Sequence, residues 1–153
     1  MTTTFATRDE AAADRIRTHH AQLAADLDSL VTALGAAAGA AVEPARQELV
    51  AWLRSELAPH ADGEEKTFYP AAERTVAGRL LIAGMVAEHQ VIRGLVDQVA
   101  DSRDQRVAAA WAGALLRVFR SHADKENDLV LPLLVQEPGV DLQALLEEMH
   151  SAP

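Results

Sequence analysis

The stretch His60–Pro70 reads HADGEEKTFYP, and His122–Pro132 reads HADKENDLVLP. Five of the eleven positions agree: His, Ala and Asp at the start, Glu four residues after the His, and Pro at the end. In an α-helix, positions i and i+4 lie one turn apart on nearly the same face. His60 and Glu64 therefore project together, as do His122 and Glu126. Their apolar neighbours give the direction. His122 follows Leu115, Val118 and Phe119 by seven, four and three residues, and Glu126 stands three before Leu129. His60 follows Leu53 and Leu57 by seven and three. Both pairs are expected to point into a core.

Working outward, the flanking sequence supplies the helices that would make such a core. The first opens at Thr7, with Glu10 three residues on as a capping box, and carries Ile16, Leu23, Leu27, Leu30 and Leu34 before Gly35. After the linker GAAAGA, Pro44 suits the first turn of a second helix through Leu49, Trp52, Leu53 and Leu57. Pro59 falls just before a phrase residue, so this helix is expected to kink. A third helix is predicted over Ala77–Asp101, with Leu81, Ile82, Met85, Val86, Ile92, Leu95, Val96 and Val99 buried. The fourth begins near Asp104 and carries Val107, Trp111, Leu115, Val118 and Phe119 into the second phrase. Asp141 then caps a short fifth helix, LQALLEEMH. No stretch shows the alternation of a strand.

The 153 residues suit one domain, 1–153. The expected fold is all-α, an antiparallel up-down-up-down four-helix bundle over about 8–135, with the short C-terminal helix over about 141–150 capping it. Hydrophobic residues make up 49% and aromatics 4%, a balance that favours close helix packing over sheets. A formal net charge of −9 argues against nucleic acid or an anionic membrane as partner. Cysteine is absent, which excludes disulfides, thiolate metal sites and cysteine nucleophiles. Without an apolar leader or a bilayer-length apolar run, the expected location is cytoplasmic.

Two further histidines fall on inward stripes. His89 lies between Met85 and Ile92, and His20 between Ile16 and Leu23. Each long helix thus offers one inward imidazole, and the second and fourth add one carboxylate each. A lone His on an apolar face is ordinarily a hydrogen-bonded core residue. Four of them beside two carboxylates would be expensive to bury unless a cation satisfied them. His19 is placed off the stripe toward the surface, and His150 near the exposed C-terminus.

The order His20, His60-x-x-x-Glu64, His89, His122-x-x-x-Glu126 resembles the hemerythrin-like, or HHE cation-binding, domain over about residues 10–135. That resemblance implies a four-helix bundle around a non-haem centre of two iron ions, oxo- or hydroxo-bridged. His20, His60, His89 and His122 would be terminal ligands, with Glu64 and Glu126 bridging. Imidazole and carboxylate together also suit manganese or zinc. Oxygen-carrying members place a second His one turn from the first on the third helix. Here those positions are Met85 and Arg93. Coordination places are left open, which points away from oxygen transport.

The expected ligand is therefore oxygen, nitric oxide or hydrogen peroxide, in oxidative or nitrosative stress response or sensing. The alternatives are a peroxide-decomposing, catalase-like enzyme, and a structural bundle with a zinc or empty site. Among residues able to fill the open place, Glu65 is expected to face solvent. Glu56 is read either as a partner of the His60 N–H or as a surface acid. Tyr69 lies on the opposite face of a regular helix, and only an irregular helix would bring it in. Met85, Trp52, Phe68, Trp111 and Phe119 are expected to pack and keep the site dry.

Overall fold

A computed structural model describes the backbone of residues 2–151 and the side chains of residues 8–151. Its elements are α1 (Thr2–Ala36), α2 (Val42–Trp52), α3 (Ala58–Lys66), α4 (Phe68–Glu73), α5 (Gly78–Asp101), α6 (Gln105–Lys125), α7 (Leu131–Gln136) and α8 (Leu142–Ser151). A single 3₁₀ turn, Gly39–Ala41, leads into α2. The described residues contain no strand, and none of their helices is long and apolar enough to cross a membrane. Helix α1 packs on α2 and α6, and α5 packs on the same two, so the long helices enclose a common interior.

The expected helices are present, with corrections at their ends and faces. Helix α1 starts at Thr2, so Thr7 lies inside it rather than at its start. The third helix begins at Gly78. A Cβ there would stand 1.9 Å from the Ala72 carbonyl oxygen, so only glycine permits this approach. Asp104 caps α6, accepting from the Arg106 and Val107 amides at 2.8 and 3.1 Å. Asp141 caps α8 by accepting from the Ala144 amide at 2.8 Å. The buried Asp9 carboxylate also accepts from the Leu142 amide at 2.9 Å, which fastens α8 to α1.

Both phrases adjoin irregular helix. A π turn, Leu53–Leu57, joins α2 to α3, and a second, Glu126–Val130, joins α6 to α7. Each is followed directly by a proline in a first helical turn, Pro59 in α3 and Pro132 in α7. Proline offers no N–H to the residue four back, and the wider turn carries the ladder past that gap. The second π turn also shifts the buried face by one residue. Val130 is buried, whereas Leu129, the expected inward residue, is exposed. Helix α6 differs from expectation at its start as well. Val107 and Trp111 are exposed, and the buried line runs through Ala108, Ala112, Leu115 and Phe119.

Two apolar clusters fill the interior. One gathers Leu23, Leu27, Leu53, Ile92, Leu115 and Phe119 among others. The other gathers Ile16, Phe68, Met85, Val130, Leu131 and Leu146 with its neighbours. His20 follows Ile16 of the second cluster and precedes Leu23 of the first, and His89 sits likewise between Met85 and Ile92. The polar site therefore lies where the two clusters meet.

Candidate metal centre

All six residues singled out by spacing are buried: His20, His60, Glu64, His89, His122 and Glu126. They come from α1, α3, α5 and α6, with Glu126 at the first position of the second π turn. Their donor atoms form two groups. His20, His60, Glu64 and Glu126 make one; Glu64, His89, His122 and Glu126 make the other. Within each, the atoms lie within 4.8 Å of one another. Both carboxylates belong to both groups. That is the arrangement required to bridge two neighbouring cations.

The carboxylates are surrounded by imidazole nitrogen. His60 Nε2 lies 2.9 Å and His20 Nε2 3.3 Å from Glu64 Oε1, and His89 Nε2 lies 3.5 Å from Glu64 Oε2. Glu126 faces His122 Nε2 at 3.3 Å and His20 Nε2 at 3.4 Å. Burial alone would raise the Glu64 carboxyl, but the His60 charge and the hydrogen bond from His20 outweigh it and hold the group well below the usual range. Burial would lower His20, yet hydrogen bonding and charge from Glu64, with the charge of Glu126, raise it. His122 is raised by Glu126 and Glu64 against the same burial effect. The pocket thus holds Glu64 ionised and draws positive charge into an apolar interior.

Outer partners aim three of the four rings. His20 Nδ1 donates to Asn127 Oδ1 at 2.8 Å, His89 Nδ1 to Glu65 Oε1 at 2.7 Å, and His122 Nδ1 to Glu88 Oε2 at 3.0 Å. Arg93 holds Glu65 at 3.0 Å, and Lys125 bonds Glu88. Such partners fix which nitrogen is free to bind a metal and make it more basic. His60 has none. Neither of its ring nitrogens has a hydrogen-bond partner, and Nε2 lies near Glu64 without the direction of a bond.

At the margin one expectation is corrected, that for Glu65, and two open readings, those of Glu56 and Tyr69, are decided. Glu65 does not face solvent; it is half-buried and takes the His89 proton. Glu56 is not the His60 partner; it is exposed and accepts from Ser55 at 3.3 Å. Tyr69 is buried at the heart of the site. Its hydroxyl donates to Glu126 Oε1 and lies 3.3 and 3.2 Å from Nε2 of His89 and His122. The cause is a break at Thr67, where φ −121 and ψ −72 end α3 and start α4. Burial, then the nearby Glu126 and Glu64 charges, push the Tyr69 hydroxyl far upward, so it keeps its proton while no cation replaces it.

His19 is exposed, as spacing suggests, but its ring meets His60 edge-on at 4.9 Å between centroids. Met85 packs in the second cluster, and Arg93 is engaged by Asp62 and Glu65, so neither supplies the missing donor.

The donor set passes a fit test for a metal. Six buried polar groups converge, two carboxylates are shared, and the buried His60 imidazole lacks a hydrogen bond that a cation at Nε2 would replace. A helical bundle with a buried nitrogen- and carboxylate-rich cation site is the class these features define. Comparison with known families agrees: residues 11–134 match Hemerythrin, the hemerythrin HHE cation binding domain, and the chain belongs to that family. No curated protein and no solved structure matches the chain significantly.

Proposed function

We propose that this protein is a non-haem di-iron protein that binds oxygen, nitric oxide or peroxide in an antiparallel up-down-up-down bundle, serving oxidative or nitrosative stress response. The observation that carries this reading is the pair of donor groups sharing Glu64 and Glu126. His20 and His60 would hold one iron and His89 and His122 the other, with Glu64 and Glu126 belonging to both donor groups. A bound iron pair supplies redox-active positions at which a small oxidant can be held. Tyr69 adds an oxygen donor beside His89 and His122, in the place where Met85 and Arg93 offer none. The His20–His60 group has no such extra donor, so the place left for an outside ligand belongs to that side.

The chain's own residues then do three things. Glu65, Glu88 and Asn127 orient imidazoles. The two apolar clusters exclude water above and below. Tyr69 keeps its hydroxyl proton and donates it in a hydrogen bond to Glu126 Oε1. Decomposition of peroxide is a second reading, favoured by the place left beside His20 and His60, where a small oxidant could turn over.

Iron-loaded protein tests both. The reading expects visible absorption from Tyr69 oxygen bound to iron, lost in Tyr69→Phe while iron content stays. It also expects spectral change on adding nitric oxide or peroxide. A colour unchanged in Tyr69→Phe removes Tyr69 from the coordination shell. Absence of any response to all the small oxidants contradicts the function, and steady peroxide consumption selects the second reading.

A further inference from the structure

Between α1, α3, α4 and α8 lies a cavity of about 280 Å³. Three of the chain's six histidines line it: His19, His60 and His150. The other three, His20, His89 and His122, are donors of the metal centre, as is His60. No histidine stands anywhere else, and His60 alone belongs to both places. Ile16, Phe68, Leu146 and Met149 suffice to pack α8 on the bundle and give no reason for the imidazoles.

A centre sealed in an apolar interior poses a problem of entry. A cation stripped of its water is costly to bury, so its path needs donors that take over from water in steps. Of the six donors of the centre, His60 is the most exposed, at 8% against 1–3% for the others. It is also the one imidazole of the four that no hydrogen bond anchors, so it can turn without breaking one. The His19 ring meets it at 4.9 Å between centroids. Glu147 adds a carboxylate to the lining. Arg15 and Glu147 are both taken up by Gln143, so opposite charges offset each other and the imidazoles set the chemistry. Among the described residues, only the centre gathers its donors into closed groups. The looser set in the cavity suits passage rather than storage.

We propose that this cavity is where a divalent cation enters the centre. His19, His150 and Glu147 replace part of its water, and the unanchored His60 then draws it toward Glu64. Only nitrogen and oxygen donors are exchanged, and the ion keeps its charge throughout. Glu147 and His150 lie on α8, outside the residues 11–134 matched to the family, so the entry is not part of the matched domain. The inference rests on the metal reading and adds a direction to it: the His20–His60 group is filled from the side of α8.

The test times the uptake of ferrous iron by the metal-free full chain without oxygen, read as iron protected from a chromogenic chelator. Joint replacement His19→Ala, Glu147→Gln and His150→Ala should slow uptake at least tenfold and still end at the parent's iron content. Leu146→Trp, which fills the cavity and removes no donor, should slow it as much. The parent chain gives a readout free of substitutions. With its centre filled by zinc, added manganese(II) should broaden the ring-proton resonances of His19 and His150 ahead of those of His89 and His122. Uptake at the parent's rate in either folded variant, or broadening that spares His19 and His150, overturns the proposal and leaves the metal reading intact. A lower final iron content in the triple variant also overturns it, since those residues would then be ligands. A folded parent chain that takes up no metal removes the metal reading, and the entry with it.

Discussion

His60–Pro70 and His122–Pro132 present the same imidazole and the same carboxylate, yet the chain supports them unequally. His122 is aimed by Glu88, which Lys125 holds in turn, whereas His60 has no partner and borders a cavity. The agreement runs further than identity of letters. The residue after each Glu serves a ring on another helix: Glu65 accepts from His89, and Asn127 from His20. Four residues later still, both copies turn inward again, with Tyr69 in the first and Leu131 in the second. The first copy reaches that point through a break at Thr67 and the second through a π turn at Glu126–Val130. Repetition supplies the donors; the surroundings decide how firmly each is held and what stands beside it.

The strongest way to break the comparison is to remove a shared carboxylate. Glu126→Ala should empty both donor groups, because Glu126 belongs to each. Metal analysis should find neither ion. Uncompensated buried imidazoles should lower stability by about 3–5 kcal/mol in thermal or denaturant unfolding. Retention of one ion would show that the two groups do not share this residue.

A smaller effect sharpens the parallel between the fifth positions. Glu65→Ala and Asn127→Ala should each weaken metal binding by roughly 10–100-fold, the usual effect of losing an orienting partner. The variants should also differ in which ion loosens. Glu65→Ala affects the His89 side and Asn127→Ala the His20 side, as a competition assay with a graded chelator would read. Equal loss of both ions in either variant would contradict the pairing. Smallest of all, Glu56→Ala should change stability by less than about 0.5 kcal/mol and leave metal affinity alone. Its side chain is exposed and does not reach His60.

These contrasts also show what the sequence could and could not disclose. Spacing of three, four and seven residues put His20, His60, Glu64, His89, His122 and Glu126 inward, and all six are buried. The reasoning worked at His20, His89 and His122 because each inference stayed within about two turns of α-helix; at His60 the line from Leu53 crosses a π turn, and Leu57, three residues before it, still gave the right face. It failed where the ladder changes. Across the second π turn the inward residue moved from Leu129 to Val130, and across Thr67 the opposite-face Tyr69 came into the site. Glu65 was misplaced for a different reason. An angle of about 100° from Glu64 takes it off the site's own face. It still reaches a neighbouring helix, and no single-helix projection contains that contact. Pro59 and Pro132 were the readable warnings, since each marks the end of a π turn.

The central claim is that the doubled phrase holds two cations of unequal security. It is tested most directly by loading the full chain with ferrous iron without oxygen, counting iron per chain, and following its loss to a chelator. The account predicts two irons leaving in two phases, with the faster phase belonging to the His20–His60 group. A fully folded chain that holds fewer than two, or that gives up both in one phase, would contradict it.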